Sequence, residues 1–362
     1  MDDAVDRLRL IRTPGVGPVT HRQLIARFGT AAAALAAIPD LARRGGGRAP
    51  VPPERGAVER ELATLARLGA RAVFLGDPDY PMLLAELDDA PAVLTVRGDL
   101  SLAMRRTVAM VGARNASAAA CRFARGLAHD LAGRDAAVVS GLARGIDTAA
   151  HQGAFPATIA VVAGGIDVAY PPENAALQER IAAEGLLVAE MPPGTEPRAR
   201  HFPHRNRIIA GLSLGTVVVE AAPRSGSLIT ARLAGEQGRE VMAVPGHPSD
   251  PRAHGANGLI RDGATLVQDA ADVLQQISPI DARAVRAPAP GWAAPPPGDA
   301  SDAERRRLLA LLGHVAVPVD ELVRQSALAP AVVQTVLLEL ELAGRLERHA
   351  GARVSLIGGD EG

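Results

Sequence analysis

The sequence predicts an α/β protein built on a Rossmann-like, doubly wound, mostly parallel sheet, with an N-terminal all-α domain and a C-terminal winged-helix domain. Three observations lead to this prediction. Short β-branched runs alternate with helical stretches between residues 106 and 277, a Gly-Val-Gly turn joins two short helices near the N-terminus, and three helices with a short hairpin close the chain. We therefore predict a helical SAM/helix-hairpin-helix-like domain (1–70), a Rossmann-like domain (71–280), a proline-rich linker (281–300) and a winged-helix domain (301–362).

The composition narrows the classes of function. The 362 residues carry 39 basic side chains, all of them arginine, against 40 acidic ones, and the net charge of −1 argues against a polybasic nucleic-acid binder. Only 2% of residues are aromatic, which argues against base stacking as the main binding device. Tyr170, one of two tyrosines, fits base stacking or packing. Cys121 is the only cysteine, so an internal disulfide framework and a cysteine-rich zinc site are excluded.

The chain shows no targeting or membrane signal. Its first residues are acidic and lack the apolar core of a signal peptide. No run of about 18 apolar residues is free of charge, so we expect no membrane association through a spanning helix. The single cysteine fits a reducing compartment, and we expect a cytoplasmic protein.

Seven short β-branched runs define the strands of the predicted sheet. Helical stretches separate them, so right-handed crossovers should give a parallel sheet with helices on both faces. Such sheets bind ligands beyond the carboxyl ends of their strands, which makes the loops that follow the strands the candidate sites. The predicted strands are 107–111, 137–139, 159–162, 186–189, 216–219, 240–244 and 265–267.

The loop after the first of these strands has the features of a phosphate site. Gly112 and Ala113 allow close approach of the backbone to an anion, and the next helix begins with free N–H groups. Arg114 and Ser117 add a guanidinium and a hydroxyl group. An ordinary strand-to-helix turn is the alternative. Because Arg114 replaces the second glycine of a G-x-G-x-x-G motif, we expect no dinucleotide cofactor.

The loop after the second strand adds Ser140, Gly141 and Arg144, which could present backbone amides and a cation to an oxyanion. Asp147 and His151 follow four residues apart, hence on one helix face. They could form an acid/base pair or a helix-stabilising pair. We favour the second interpretation, because no nucleophile is adjacent in the sequence.

Two later segments carry further candidate ligands. Arg205, Asn206 and Arg207 stand at a predicted helix start, and arginine forks bind phosphate in bidentate fashion. Ser225 and Ser227 begin another helix, where hydroxyl groups serve as caps or as anion ligands. No grouping of His, Asp and Glu has convincing metal-ligand spacing.

The two terminal domains contain elements that often contact DNA. The turn around Gly15 and Gly17 resembles a helix-hairpin-helix element, which contacts DNA phosphates; packing alone is an equal alternative. In the winged-helix pattern, the helix in the recognition position carries Glu339 and Glu341 and no arginine. We therefore expect this module to contact protein rather than to bind DNA tightly.

Taken together, these motifs resemble the bacterial DNA-processing protein A family (DprA, also called Smf). The resemblance covers residues 5–280, and its order and spacing are specific. The residues that carry it are Asp79-Tyr80-Pro81, Gly112 to Ser117, Ser140 to Asp147 with Ala150-His151, Gly164 to Asp167 with Tyr170-Pro171, Phe202 to Ser213, Ser225 to Ala231 and Val244-Pro245-Gly246.

The resemblance implies a protein that binds single-stranded DNA without sequence preference and forms a homodimer. It implies loading of the RecA recombinase onto single strands in natural transformation and DNA recombination, without enzymatic activity, cofactor or metal. Carried over by position, Arg114 and Ser117 hold phosphates, Ser140 and Gly141 line the same pocket, and 205–207 contact the strand from the opposite rim. The chain departs from the family at Ala118-Ala119-Ala120, where Tyr-Gly is common.

Two other functions remain open at this point. A LOG-like nucleotide-processing hydrolase would need a Pro-Gly-Gly-x-Gly-Thr-x-x-Glu motif. The chain has only Leu214-Gly215-Thr216 followed by three valines and Glu220, which is one residue too many. A structural adaptor that acts through its winged helix is the other possibility.

Overall fold

The computed structural model describes residues 2–281, 299–349 and 351–357. The chain divides into two compact units. We call Met1–Arg60 with Pro290–Gly362 the terminal unit, and Glu61–Ala289 the central unit. Nearly all of the predicted proline-rich linker lies outside the described residues.

The central unit is built around a nine-stranded sheet, with strands numbered in chain order. The strands run β1-β2-β6-β5-β4-β3-β7-β8-β9 across the sheet. They are β1 (Arg71–Phe74), β2 (Val93–Gly98), β3 (Arg106–Gly112), β4 (Ala136–Ser140), β5 (Thr158–Val162), β6 (Leu186–Ala189), β7 (Gly215–Val219), β8 (Glu240–Ala243) and β9 (Thr265–Leu266).

The order of the strands creates a switch point between β3 and β7. From β3 the chain winds outward through β4, β5 and β6, and then returns to the other side of β3 as β7, β8 and β9. All of these neighbours pair in parallel, whereas β2 pairs antiparallel with both β6 and β1. The loops that leave β3 and β7 at their carboxyl ends therefore diverge and leave a crevice.

Helices cover both faces of this sheet. One cluster of buried side chains packs α6, α7 and α12 on one face, and a second packs α9, α10 and α11 on the other. Every residue of β4, β5 and β7 is buried, as expected for parallel strands with both faces covered. The helices are α4 (Arg55–Arg67), α5 (Met82–Ala85), α6 (Ala118–Ala132), α7 (Ile146–Ala154), α8 (Ala175–Glu184), α9 (His201–Gly211), α10 (Gly226–Glu236), α11 (His254–Arg261) and α12 (Ala270–Asp281).

The predicted fold class is confirmed, and all seven predicted strands are present with ends that differ by at most one residue. The prediction missed β1 and β2. Strand β1 is a four-residue edge strand with two buried residues, too short to show a period. It pairs with β2 about 20 residues later, and this pairing leaves no local pattern in the sequence.

The terminal unit contains an N-terminal group of helices and a C-terminal winged helix. The first comprises α1 (Asp2–Ile11), α2 (Pro18–Phe28) and α3 (Ala31–Arg44). The second comprises α13 (Asp302–Leu309), α14 (Val319–Ser326), α15 (Pro330–Leu342), β10 (Val317–Pro318), β11 (Leu346–His349) and β12 (Arg353–Leu356). A capping box between Ser301 and Glu304 begins α13, and Thr30 caps α3. Both groups agree with the predicted architecture.

In the part of the chain that the structure describes, no single helix is long and apolar enough to cross a membrane. Helices α2 and α3 satisfy the length and composition criteria only as a pair, which is bent by 104°.

Candidate nucleic-acid interface

A cavity of about 670 Å³ lies at the carboxyl ends of β3 and β7, where the winding of the sheet reverses. We call it the switch-point cavity. Doubly wound sheets bind their ligands at this position. Seven residues that the sequence predicted line it: Gly112, Ala113, Arg114, Arg205, Asn206, Ser225 and Ser227.

A second cavity of about 110 Å³, the side cavity, adjoins the first. The predicted residues Gly141 and Arg144 line it, together with Tyr170. Arg114 and Arg205 line both cavities. Loops that follow β3, β4, β5, β7 and β8, together with the start of α9, therefore converge on one continuous surface.

Arg205 is the most buried cation of this surface, with 6% of its area exposed. Its Nη1 donates to the Val161 carbonyl oxygen over 3.1 Å, while Nε is buried with no hydrogen-bond partner among the described residues. Burial lowers its pKa to about 10, so the group stays protonated at neutral pH. The guanidinium therefore places a positive charge beside both cavities, which favours an anion there.

Gly141 allows the Arg205 guanidinium to lie against the backbone. A Cβ atom at this position would stand 1.4 Å from Nη1 of Arg205. The glycine is therefore required by the close approach of a side chain, and not by a backbone angle that other residues avoid.

Asp147 and His151 bind the backbone of the loop that carries Gly141. The Asp147 carboxylate accepts from the N–H groups of Gly141 (3.1 Å) and Ala143 (3.3 Å), and Nε2 of His151 accepts from the Leu142 N–H (3.3 Å). Burial raises the pKa of Asp147 against the opposing charge of Arg205, and burial lowers the pKa of His151 to about 3. These contacts favour the structural interpretation over acid/base chemistry.

Aromatic side chains complete the surface; the sequence indicated base stacking or packing for Tyr170 but assigned no role to Phe202. The Phe202 ring centroid lies 5.3 Å from the Arg114 guanidinium and 5.9 Å from that of Arg205. The Tyr170 ring lies 5.6 Å from Phe202 at an angle of 57°. Tyr170 is 46% exposed. Two features of the sequence could have identified these residues, namely the rarity of aromatic side chains and their position in the loops after strands.

Ser117 lies outside both cavities. It is the N-cap of α6, where its hydroxyl accepts from the Ala120 N–H over 3.0 Å. The same hydroxyl donates to a Glu220 carboxylate oxygen over 2.6 Å, and the Ser117 N–H donates to the other over 2.9 Å. The helix start that the sequence predicted as a phosphate site thus holds a carboxylate of the chain itself.

Ser140 and Arg207 also lie away from the cavities. The Ser140 hydroxyl is fully buried and donates to the Met110 carbonyl oxygen over 2.6 Å. Arg207 is 7% exposed and forms an ion pair with Glu190, and its Nη1 donates to the Asp89 carbonyl oxygen over 2.7 Å. Ser140 thus joins β4 to β3, whereas Arg207 joins α9 to the loop before β2 and to the residue after β6.

The remaining predicted residues lie at the rim. Arg144 is exposed and pairs with Glu173, and Ser225 caps α10 with its hydroxyl 2.8 Å from that of Ser227. Two arginines that the prediction did not select also line the switch-point cavity. Arg224 is exposed, and Arg252 pairs with Asp250 over 2.8 Å. The rim is therefore more basic than predicted.

Comparison with known proteins places this geometry in a family. The model of the DNA recombination-mediator protein A family matches residues 71–278. The chain belongs to this family. A DprA-like N-terminal HHH domain matches residues 1–64, and a DprA winged helix domain matches residues 293–352. The resemblance predicted from the sequence is confirmed, and with it a role in DNA processing and recombination.

Several members of the family are similar over most of their length. DNA processing protein DprA of Bacillus subtilis is 41% identical over 60% of this chain and 75% of the relative. Protein Smf of Escherichia coli is 38% identical over 83% of this chain and 82% of the relative.

Two solved family structures share the fold over more than half of this chain. DprA from Streptococcus pneumoniae is 40% identical with a TM-score of 0.58, over 62% of this chain and 78% of that one. DNA processing protein A from Helicobacter pylori, described for its single-stranded DNA binding mode, is 28% identical with a TM-score of 0.53, over 59% and 96%.

Proposed function

We propose that the central unit binds single-stranded DNA without sequence preference through the switch-point and side cavities. The observation that carries the proposal is the cluster of Arg114, Arg205 and Phe202, in which two guanidinium groups lie beside one aromatic ring. Guanidinium groups bind phosphate, and rings stack on any base. The single-stranded DNA binding of the Helicobacter pylori relative supports this proposal.

The arrangement favours an unpaired strand over a duplex. Bases in a duplex are stacked on both faces and cannot reach a ring that lines a cavity, whereas the bases of a single strand can turn toward Phe202. Arg224 and Arg252 at the rim lie where they can meet the next phosphates.

Binding of fluorescent oligo-dT, followed by anisotropy over a range of salt concentrations, tests the proposal. Arg114→Ala should weaken binding by about tenfold and reduce the slope of log K against log salt by about 0.7, the value for one phosphate contact on a single strand. Arg261→Ala is the matched control, because Arg261 is exposed and lines neither cavity. If Arg114→Ala, Arg205→Ala and the control bind oligo-dT with equal affinity, the two cavities are not the DNA-binding site.

We further propose that the bound strand is passed to RecA and that the protein acts as a homodimer in recombination and natural transformation. The membership in a family of recombination mediators supports this step. Purified protein should shorten the lag in RecA ATPase activity on single-stranded DNA, and Arg114→Ala should lose this effect. Sedimentation should show a dimer; a monomer at micromolar concentration would contradict that part.

The protein is proposed to act without catalysis, in contrast to a nucleotide hydrolase. The two side chains that could form an acid/base pair, Asp147 and His151, are buried and bind backbone N–H groups. Release of free base from nucleoside monophosphates by the wild-type protein, but not by Asp147→Asn, would support the hydrolase instead.

A further inference from the structure

A third cavity, of about 420 Å³, lies at the carboxyl ends of β7 and β8, beside the start of α6. We call it the β8 cavity. Val219 and Glu220 line it, whereas residues 222–225 of the same loop line the switch-point cavity. Arg252 also lines the switch-point cavity, and it forms ion pairs with Asp250 (2.8 Å) and Glu220 (3.8 Å), which line the β8 cavity. The two cavities are therefore neighbours, with this charged group between them.

The walls of the β8 cavity are mostly apolar. Ala119, Ala120 and Phe123 line it from α6, and Val244 and Pro245 line it from the loop after β8. Cavities that bind small ligands have volumes of about 300–1,000 Å³ and apolar walls with a few polar groups. An apolar cavity that includes an aromatic ring favours a flat ring system such as a nucleobase.

Two carboxylates supply the polar groups of this cavity. Each carboxylate oxygen can accept about two hydrogen bonds. Among the described residues, each oxygen of Glu220 accepts one hydrogen bond from Ser117, and Oδ2 of Asp250 accepts one from Nη2 of Arg252. Hydrogen bonds from Arg252 lower the pKa of Asp250 to about 2, so this carboxylate is charged at neutral pH. Acceptor positions therefore remain available at both side chains.

The charge of the β8 cavity selects against phosphate and for hydrogen-bond donors. None of the described residues that line it is an arginine, and the chain contains no lysine. A phosphate group would meet two carboxylates there, whereas an N–H donor would use their remaining acceptor positions. Guanine carries two adjacent donors on its Watson–Crick edge, N1–H and the 2-amino group, whereas thymine has a single N–H between two carbonyl groups. Guanine is therefore the base that fits best.

The loop after β8 is held in place by its own hydrogen bonds. The Asn257 amide binds Gly246 twice, accepting from its N–H over 3.0 Å and donating to its carbonyl oxygen over 2.9 Å. The Ser249 N–H donates to Nδ1 of His247 over 3.2 Å, so the neutral His247 ring carries its proton on Nε2. His247 lines the cavity and adds a donor that suits the O6 atom of guanine. A loop fixed in this way loses little freedom when a base binds.

We propose that the β8 cavity binds a guanine base of the single strand that is held at the switch-point cavity. This inference rests on the proposed single-strand function. It adds a preference at one nucleotide to phosphate contacts that do not depend on sequence. A phosphate at Arg252 lies beside the wall that the two cavities share, and the bases of a single strand are free to turn away from the backbone. The guanine edge then donates to Glu220 and Asp250, and its ring lies against Phe123.

The Ala119→Leu substitution tests the cavity, because Ala119 is exposed and a larger side chain there takes up the space of the base. Ala118→Leu is the matched control, since Ala118 is the exposed neighbour and lines none of the three cavities. Anisotropy is measured with oligo-dT, with a strand of alternating dT and dG, and with a strand in which deoxyinosine replaces dG. Inosine differs from guanosine only in lacking the 2-amino group.

The wild type and Ala118→Leu should bind the guanine-containing strand about tenfold more tightly than oligo-dT, the effect of one hydrogen-bonded base contact. The inosine strand should keep only about threefold of this preference, since one of the two donors is missing. Ala119→Leu should lose the preference, while its affinity for oligo-dT stays within about twofold of the wild type.

Asp250→Asn tests the same contact from the other side of the cavity. Its amide group faces the guanine donors with a donor of its own, so the guanine preference should fall by about threefold or more. Asp262→Asn, at an exposed position that lines none of the three cavities, is the control. Thermal unfolding shows that each variant is folded at the temperature of the binding measurement.

Three outcomes would overturn the inference. Equal affinity of the wild type for the dT and the dT/dG strands would show that no base is selected. A guanine preference that survives in both Ala119→Leu and Asp250→Asn would place the selected base elsewhere. Free guanosine that binds as tightly as the strand would show a nucleoside site independent of DNA. Failure of the proposed single-strand site would appear separately, as equal binding of oligo-dT by the wild type and Arg114→Ala.

Discussion

Both oxygens of the Glu220 carboxylate accept hydrogen bonds from Ser117, one from its N–H (2.9 Å) and one from its hydroxyl (2.6 Å). The start of α6, where a bound anion was expected, is thereby neutralised within the chain. The Glu220 carbonyl oxygen also accepts from the Ala113 N–H over 2.7 Å. Glu220 thus holds both ends of the loop from which Arg114 extends, and its carboxylate also lies 3.8 Å from Nε of Arg252.

The Glu220→Gln substitution tests this positioning role. The amide keeps the size of the side chain, but its NH2 group cannot accept from Ser117. We expect a loss of about 1–3 kcal/mol in stability, because a charged hydrogen bond at a partly buried site is removed. Thermal unfolding measures the loss, and Glu236→Gln, an exposed glutamate of α10, is the control. Equal melting temperatures for the two variants would contradict the role.

Gly141→Ala should reproduce the effect of Arg205→Ala on single-strand binding. The added methyl group would stand 1.4 Å from Nη1 of Arg205, so the guanidinium must leave its place. We expect about tenfold weaker oligo-dT binding, corresponding to one charged contact. Gly126→Ala, where no atom lies within 4 Å, should bind as the wild type does. Wild-type affinity for Gly141→Ala would show that the position of Arg205 is unimportant.

Arg207→Ala should reduce stability more than it reduces DNA binding. Its guanidinium is paired with Glu190 and with the Asp89 carbonyl, and removal leaves these partners unsatisfied at a cost of about 2–4 kcal/mol. The measurement is thermal unfolding together with oligo-dT binding by the folded protein at 15 °C. A large loss of affinity for oligo-dT with unchanged stability would show that Arg207 contacts DNA, as the sequence predicted.

Phe202→Leu should weaken oligo-dT binding by about tenfold or more, since stacking on one base contributes about 1–3 kcal/mol. Leucine keeps an apolar side chain beside Arg114 and Arg205 but offers no ring face. Phe202→Tyr, which keeps the ring, is the matched control. If leucine and tyrosine variants bind equally well, phosphate contacts alone account for the affinity.

His151 should make the protein sensitive to acid. The folded state binds a proton at His151 only near pH 3, whereas the unfolded chain binds one near pH 6.5, so stability falls as the pH drops below about 6.5. Burial raises the pKa of Asp147, so this residue contributes stability that increases as the pH falls, opposite to His151. Asp147 is present in both the wild type and the His151→Gln variant, so its contribution does not distinguish the two proteins.

His151→Gln should therefore lose less stability than the wild type between pH 7 and pH 4.5. Melting temperatures at several pH values measure the difference. His129→Gln, which replaces an exposed histidine on α6, should keep the wild-type dependence. Parallel curves for His151→Gln and the wild type would contradict the assignment.

Local patterns in the sequence determined the parallel sheet and the loops that line its switch point. Strands such as β5 and β7 are continuous apolar runs between helices, and the period of each element is visible within a few residues. The predicted strands also identified the candidate loops, because parallel strands end at a common edge of the sheet.

Packing alone decided which residues of these loops reach the cavities. Arg205 and Arg207 are two residues apart and so lie about 200° apart around α9, which sends one guanidinium to the cavities and the other to Glu190. Ser117 and Ser140 likewise turn to Glu220 and Met110. The docking of α15 on the N-terminal helices joins residues about 300 positions apart, and only tertiary structure shows contacts of that range.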